Sequence, residues 1–131
     1  MAHVLVVDDE VMCALSVKSQ LDVLGHRVSV AFTVADAVRC YDHDPADAVI
    51  TDYRMPRMNG LDLIHHLRDR SRHLPIMVLT AYSPDAEALF RGHGAPIAVV
   101  DKPAEPETIE AALDELLASA RPAVPQTSIR A

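Results

Sequence analysis

The segment VITDYRMPRMNGLDL (Val49–Leu63) is an apolar run of strand length that ends in one acid, Asp52. A stiff Met55-Pro56 pair follows, and Asn59-Gly60 precedes a new helical pattern. Strand, loop and helix in this order form part of a β-α-β unit. The acid stands at the carboxyl end of the strand, where an open parallel sheet places chemistry rather than stability. What Asp52 can do depends on the groups that other strands bring to the same edge.

Working outward, the same alternation fills the chain. HVLVV (His3–Val7) is a strand-length apolar run, and Glu10 to Leu24 carries a helical stripe of Val11, Ala14, Leu15, Leu21 and Leu24, closed by Gly25. RVSVA (Arg27–Ala31) reads as a second strand, with Thr33 as N-cap of a helix from Val34 to about Tyr41. DAVIT (Asp47–Thr51) is the third strand, followed by a helix from about Leu61 to Arg70. PIMVLT (Pro75–Thr80) is the fourth, and Pro84 opens a short helix through Leu89 and Phe90 that stops near Gly92 and Gly94. IAVV (Ile97–Val100) is the fifth. Pro106 begins a last helix to about Ala120, with Ile109, Leu113, Leu116 and Leu117 on one face. Five apolar strands alternating with five helices predict an α/β fold with a mainly parallel sheet, right-handed crossovers and helices on both faces.

Composition agrees with one such domain. The chain has 131 residues, half of them hydrophobic and only 4% aromatic, so the core is expected to be aliphatic and packed between layers. Residues 1–120 are assigned to the domain. The tail RPAVPQTSIRA (Arg121–Ala131) has prolines at 122 and 125 and no periodicity, which suits a disordered end or the start of a linker. A formal charge of −7 with scattered Lys and Arg argues against direct nucleic-acid binding. Cys13 and Cys40 form no CxxC pair and are read as reduced thiols. Val4–Val7 is too short for a signal peptide or membrane span, so a cytoplasmic location is expected.

The strand ends carry a constellation. Asp8-Asp9-Glu10 follows the first strand, Asp52 ends the third, Thr80 ends the fourth and Lys102-Pro103 follows the fifth. Acids in this position can simply favour a helix N-terminus. Crowded with Asp52, however, they repel unless a cation joins them, and hard oxygen ligands in small number favour Mg²⁺ shared with a phosphate. An aspartate beside such a metal can act as nucleophile and form an acyl phosphate, with Lys102 and the Thr80 hydroxyl as donors to the phosphoryl oxygens.

Four fragments, VVDDE (6–10), TDYRMPRMNG (51–60), LTA (79–81) and DKP (101–103), make the chain resemble the receiver domain of response regulators in two-component signalling. The likeness covers roughly residues 3 to 120. It implies a flavodoxin-like (βα)5 three-layer sandwich with strand order 2-1-3-4-5. It further implies Asp52 as phosphoacceptor, Asp9 as a direct Mg²⁺ ligand, Asp8 as a ligand partly through water, and the Arg54 backbone carbonyl as a further ligand. Thr80 would sense the phosphoryl group and Lys102 would contact it. The implied partners are a histidine kinase or histidine phosphotransfer protein, and a downstream protein or fused effector that reads the face of the fourth helix, fifth strand and fifth helix. The implied role is that of a signalling phosphoacceptor, not an enzyme in the ordinary sense, with Mg-dependent autophosphorylation and autodephosphorylation.

Two features depart from the family pattern. The position three residues before Lys102 is usually aromatic and swings inward with the threonine; here it is Val99. Signalling is then expected to run through Thr80 and the Ala81-Tyr82-Ser83-Pro84 loop. GAPIAVVDKP is also one residue longer than the common spacing, so the fifth strand is expected to bulge or to begin differently. The seven histidines include no pair at i, i+4 spacing, and are read as surface residues. The alternative function is a haloacid-dehalogenase-like phosphatase with Asp8 as nucleophile, although that family uses a DxD arrangement. A flavin carrier would need a Ser/Thr/Gly-rich phosphate loop and aromatic residues that this chain lacks.

Overall fold

The computed structural model describes residues 2–53, 60–80, 97–101 and 105–120. Their elements alternate as expected: β1 (His3–Val7), α1 (Val11–Val23), β2 (Arg27–Ala31), α2 (Val34–His43), β3 (Ala48–Asp52), α3 (Gly60–Arg70), β4 (Ile76–Thr80), β5 (Ile97–Asp101) and α4 (Pro106–Ala120), which is the fifth helix of the sequence pattern. The helix expected after Pro84 lies outside the described residues. The sheet has the order β2-β1-β3-β4-β5 and every pairing is parallel. The strand order reverses between β1 and β3, so the ends of these two strands open onto a crevice.

Strand alternation divides the core into two layers. Leu5, Val7, Val49, Ile76 and Val78 face α2 and α3, where they meet Val34, Ala37, Leu63, Ile64 and Leu67. Val4, Val6, Ala48, Ile50, Met77 and Leu79 face the other way, against Ala14 and Leu21 of α1 and Ile109, Leu113 and Leu116 of α4. Each fully buried aliphatic side chain contributes about 1.5–3 kcal/mol. The central strands β1 and β4 are buried along their whole length, which explains their unbroken apolar runs.

Two helix ends follow their local sequence signals. Thr33 caps α2, its hydroxyl accepting the Asp36 N–H at 3.0 Å. Gly25 closes α1 with a φ of 92°, a left-handed conformation that favours glycine. The expected element ends shift by a residue or two. β3 begins at Ala48 and takes in Asp52, β4 begins at Ile76, α2 runs to His43, and β5 takes in Asp101.

Three expectations are corrected. The stripe expected to bury α1 does not do so, because only Ala14 and Leu21 of the helix are buried. Val11, Leu15 and Leu24 are exposed, together with Met12 and Val23 at 76% and 86%. The helix is apolar on several sides, and the sheet selects the side where small Ala14 allows close approach. Second, β5 shows no bulge: Ile76 to Thr80 pair one for one with Ile97 to Asp101. The other expectation, that the strand begins differently, falls outside the described residues.

Third, His3 is a buried residue, 5% exposed. Its Nδ1 lies 3.1 Å from the Pro45 carbonyl oxygen and its Nε2 lies 2.8 Å from Ser29 Oγ. The backbone beside it is fixed too: the His3 N–H donates to Asp47 Oδ2 at 2.8 Å, and the Asp47 N–H donates to the His3 carbonyl at 2.7 Å. Arg27 closes the cluster with a 2.6 Å bond to Asp44, which holds the Asp44 carboxyl below the usual carboxylate range.

Candidate functional site

The opposite end of the sheet is built from the same strands. β1 and β3 pair in register up to Val7 and Thr51, so the residues that follow, Asp8 and Asp52, emerge side by side. Carboxylate oxygens of Asp8, Asp9 and Asp52 lie within 4.8 Å of one another. Asp8 is buried, Asp52 half-buried and Asp9 exposed, so the cluster grades from the core to the surface.

Backbone contacts fix these acids. The Asp8 N–H donates to the Ala31 carbonyl at 3.1 Å, and Asp8 Oδ1 accepts the Glu10 N–H at 2.9 Å. This local turn sets the start of α1, where the Glu10 side chain makes no capping bond. Beside Asp52, the buried Thr51 hydroxyl donates to the Asp52 carbonyl at 2.9 Å, and the Tyr53 N–H continues the ladder to the Leu79 carbonyl at 2.9 Å. Thr80 ends β4 at 4% exposure and pairs with Asp101, the residue before Lys102.

The sequence-predicted groups Asp8, Asp9 and Asp52 are thus brought together, with Thr80 on the next strand. Arg54 and Lys102 lie outside the described residues, as do the Met55-Pro56 turn, Asn59, and the segment Ala81–Pro84. The bond from Asp8 to the Glu10 backbone was missed, although an acid two residues before a helix start is its signal. Tyr53 was also missed: strand alternation past Val49 and Thr51 places it on the face that Thr80 shares.

The donor set has a definite chemistry. Two carboxylates about 5 Å apart repel by about 3 kcal/mol at an effective dielectric constant of roughly 20, and this cluster holds three. Hard, anionic oxygens converging from two strand ends suit a small divalent cation.

A family model for the response regulator receiver domain matches residues 4–114. The chain belongs to this family. Among similar proteins, response regulator MprA of Mycobacterium ulcerans (strain Agy99) is 33% identical over 127 residues, covering 97% of this chain and 52% of that protein. Transcriptional regulatory protein GlrR of Escherichia coli (strain K12) is 27% identical over 122 residues, covering 93% of this chain and 28% of that protein. The receiver thus spans between about a quarter and about half the length of these curated relatives. Among solved structures, chemotaxis protein CheY4 of Vibrio cholerae is 30% identical, with a TM-score of 0.83 and coverage of 88% of this chain and 98% of that one. The fold is flavodoxin-like, and the protein is a receiver domain of two-component signalling. The alternative of a haloacid-dehalogenase-like phosphatase finds no support in these matches. Among the described residues, no helix is long and apolar enough to cross a membrane.

Proposed function

We propose that this receiver, taken as residues 1–120 with 121–131 as tail or linker, accepts a phosphoryl group on Asp52 from the phosphohistidine of a kinase or phosphotransfer protein. One observation supports the reading above others: carboxylates from the ends of β1 and β3 converge beside Asp52 at the point where strand order reverses. An Asp52 carboxylate oxygen attacks phosphorus, the P–N bond breaks, and the imidazole leaves with the electron pair and takes a proton from solvent. The product is an acyl phosphate, and water attacking phosphorus later restores the carboxylate.

Asp8, Asp9, Asp52 and the Arg54 carbonyl would hold Mg²⁺, which supplies charge neutralisation to a site that otherwise repels an incoming phosphate. Thr80 would donate its hydroxyl to a phosphoryl oxygen, and Lys102 its ammonium group. Fixing Asp8 through the Glu10 N–H keeps one acid oriented before any ligand arrives. The phosphorylated form would present a changed face, formed by the helix expected after Pro84 with β5 and α4, to a downstream protein or a fused effector in the cytoplasm.

The test is incubation with acetyl phosphate and Mg²⁺, followed by intact mass and borohydride reduction, which converts a phosphorylated aspartate to homoserine. One phosphoryl group located at Asp52, and absent from Asp52→Ala, is expected. No gain, or a group located at Asp8, overturns the proposal.

A further inference from the structure

We propose that Tyr53 is a positioning residue that couples Thr80 to the core layer under α3, the part that an aromatic at position 99 would otherwise play. This rests on the phosphoacceptor reading of Asp52.

The geometry comes from register. Asp52 pairs with Leu79, and the Tyr53 N–H bonds the Leu79 carbonyl at 2.9 Å, so Tyr53 stands level with Thr80. Alternation places Val49, Thr51 and Tyr53 of one strand, Ile76, Val78 and Thr80 of the next, and Ile97 and Val99 of the third on a single face of the sheet. That face carries the cluster that includes Leu63, Ile64 and Leu67 of α3, and both Tyr53 and Val99 pack against it. Thr80 therefore has Tyr53 on its β3 side and Asp101 on its β5 side, while Val99 sits one row lower, paired with Val78.

Thr80 is 4% exposed, so its side chain has little free room. To donate to a phosphoryl oxygen on Asp52 the hydroxyl must turn toward the crevice, and the Thr80 methyl turns with it. In a close-packed layer such a displacement is taken up by the nearest adjustable group. Strands about 4.8 Å apart put the half-buried Tyr53 ring within reach of that methyl. A valine at 99, one row away and with one stiff rotamer, offers no comparable lever. The ring passes the change to the Leu63 and Ile64 side chains of α3 through the cluster it packs against.

The test uses the full chain with acetyl phosphate and Mg²⁺. With 3-fluorotyrosine incorporated and resonances assigned by Phe substitution, the Tyr53 ¹⁹F signal shifts on phosphorylation while that of Tyr41, in the same cluster but on α2, stays in place. Tyr53→Leu still gains one phosphoryl group by mass but loses the wild-type methyl shifts at Leu63 and Ile64, and Tyr53→Phe keeps them. An unmoved Tyr53 signal on the fully phosphorylated protein overturns the proposal, even if Tyr53→Leu does not fold. So do unchanged Leu63 and Ile64 responses in Tyr53→Leu. Failure of the underlying reading is seen separately, as no mass gain in the wild type or a gain that survives Asp52→Ala, and it removes this proposal as well.

Discussion

The two ends of β1 lie about 17 Å apart along a five-residue strand and are built on opposite principles. At the His3 end, the polar groups of the cluster satisfy one another: the imidazole meets Pro45 and Ser29, the backbone meets Asp47, and Arg27 neutralises Asp44. At the Asp8 end, carboxylates of Asp8, Asp9 and Asp52 crowd within 4.8 Å of one another. One edge of the sheet joins acids to a base and an imidazole, and the other sets three acids against one another. The opposition is tolerable because a ligand is expected there, and stability is exchanged for the capacity to bind it.

The sharpest way to break this comparison is to deny the acidic end its cation. With Mg²⁺ removed by chelation, the rate of labelling by acetyl phosphate is expected to fall by at least about 100-fold, followed by intact mass, whereas the His3 end gives no metal dependence. Unchanged labelling would remove the reason for crowding the acids. At the paired end, His3→Ala deletes a buried ring and strands the Ser29 hydroxyl and the Pro45 carbonyl. A loss of about 2–3 kcal/mol is expected, read as a Tm lower by roughly 10 °C, with phosphorylation of the folded protein retained.

The opposite sign is expected at the other end. Asp8→Asn keeps an oxygen to accept the Glu10 N–H but removes one of the three charges. It should raise stability without Mg²⁺ by about 1 kcal/mol and weaken stabilisation by Mg²⁺, both read from thermal melts with and without the ion. A loss of stability in Asp8→Asn would mean that the cluster is not strained.

The smallest effect concerns the exposed Arg27–Asp44 pair. The folded-state pKa of Asp44 is depressed by the hydrogen bond from Arg27, so the pair's contribution is present above the ordinary carboxylate range and is lost as pH falls through the folded value. Arg27→Gln should flatten the acid limb of Tm against pH slightly and leave the neutral range almost unchanged, because exposed pairs are worth little. A large effect at neutral pH would show this pair to be more than a surface contact.

Much of the fold was legible in the chain. Five apolar runs of strand length, Thr33 at a helix start, Gly25 at a helix end, and the order of Asp8, Asp9, Asp52 and Thr80 along the strands are local patterns. Local backbone preferences and burial on both faces write them directly into the residues. The α4 stripe of Ile109, Leu113 and Leu116 was equally clear because the rest of that helix is polar enough to leave one choice of face.

What only the tertiary structure decided depends on partners distant in sequence. Helix α1 is apolar on several sides, so periodicity could not say that Ala14 and Leu21 turn inward while Val11, Leu15 and Val23 stay out. His3 reads as one more surface histidine until β2 and the turn before β3 close around it with Ser29 and Pro45. Tyr53 reads as a loop residue until the register of β3 on β4 sets it level with Thr80. In each case the local signal is degenerate, and the choice is made by strand pairing and layer packing, which bring together residues that no short window of the chain contains.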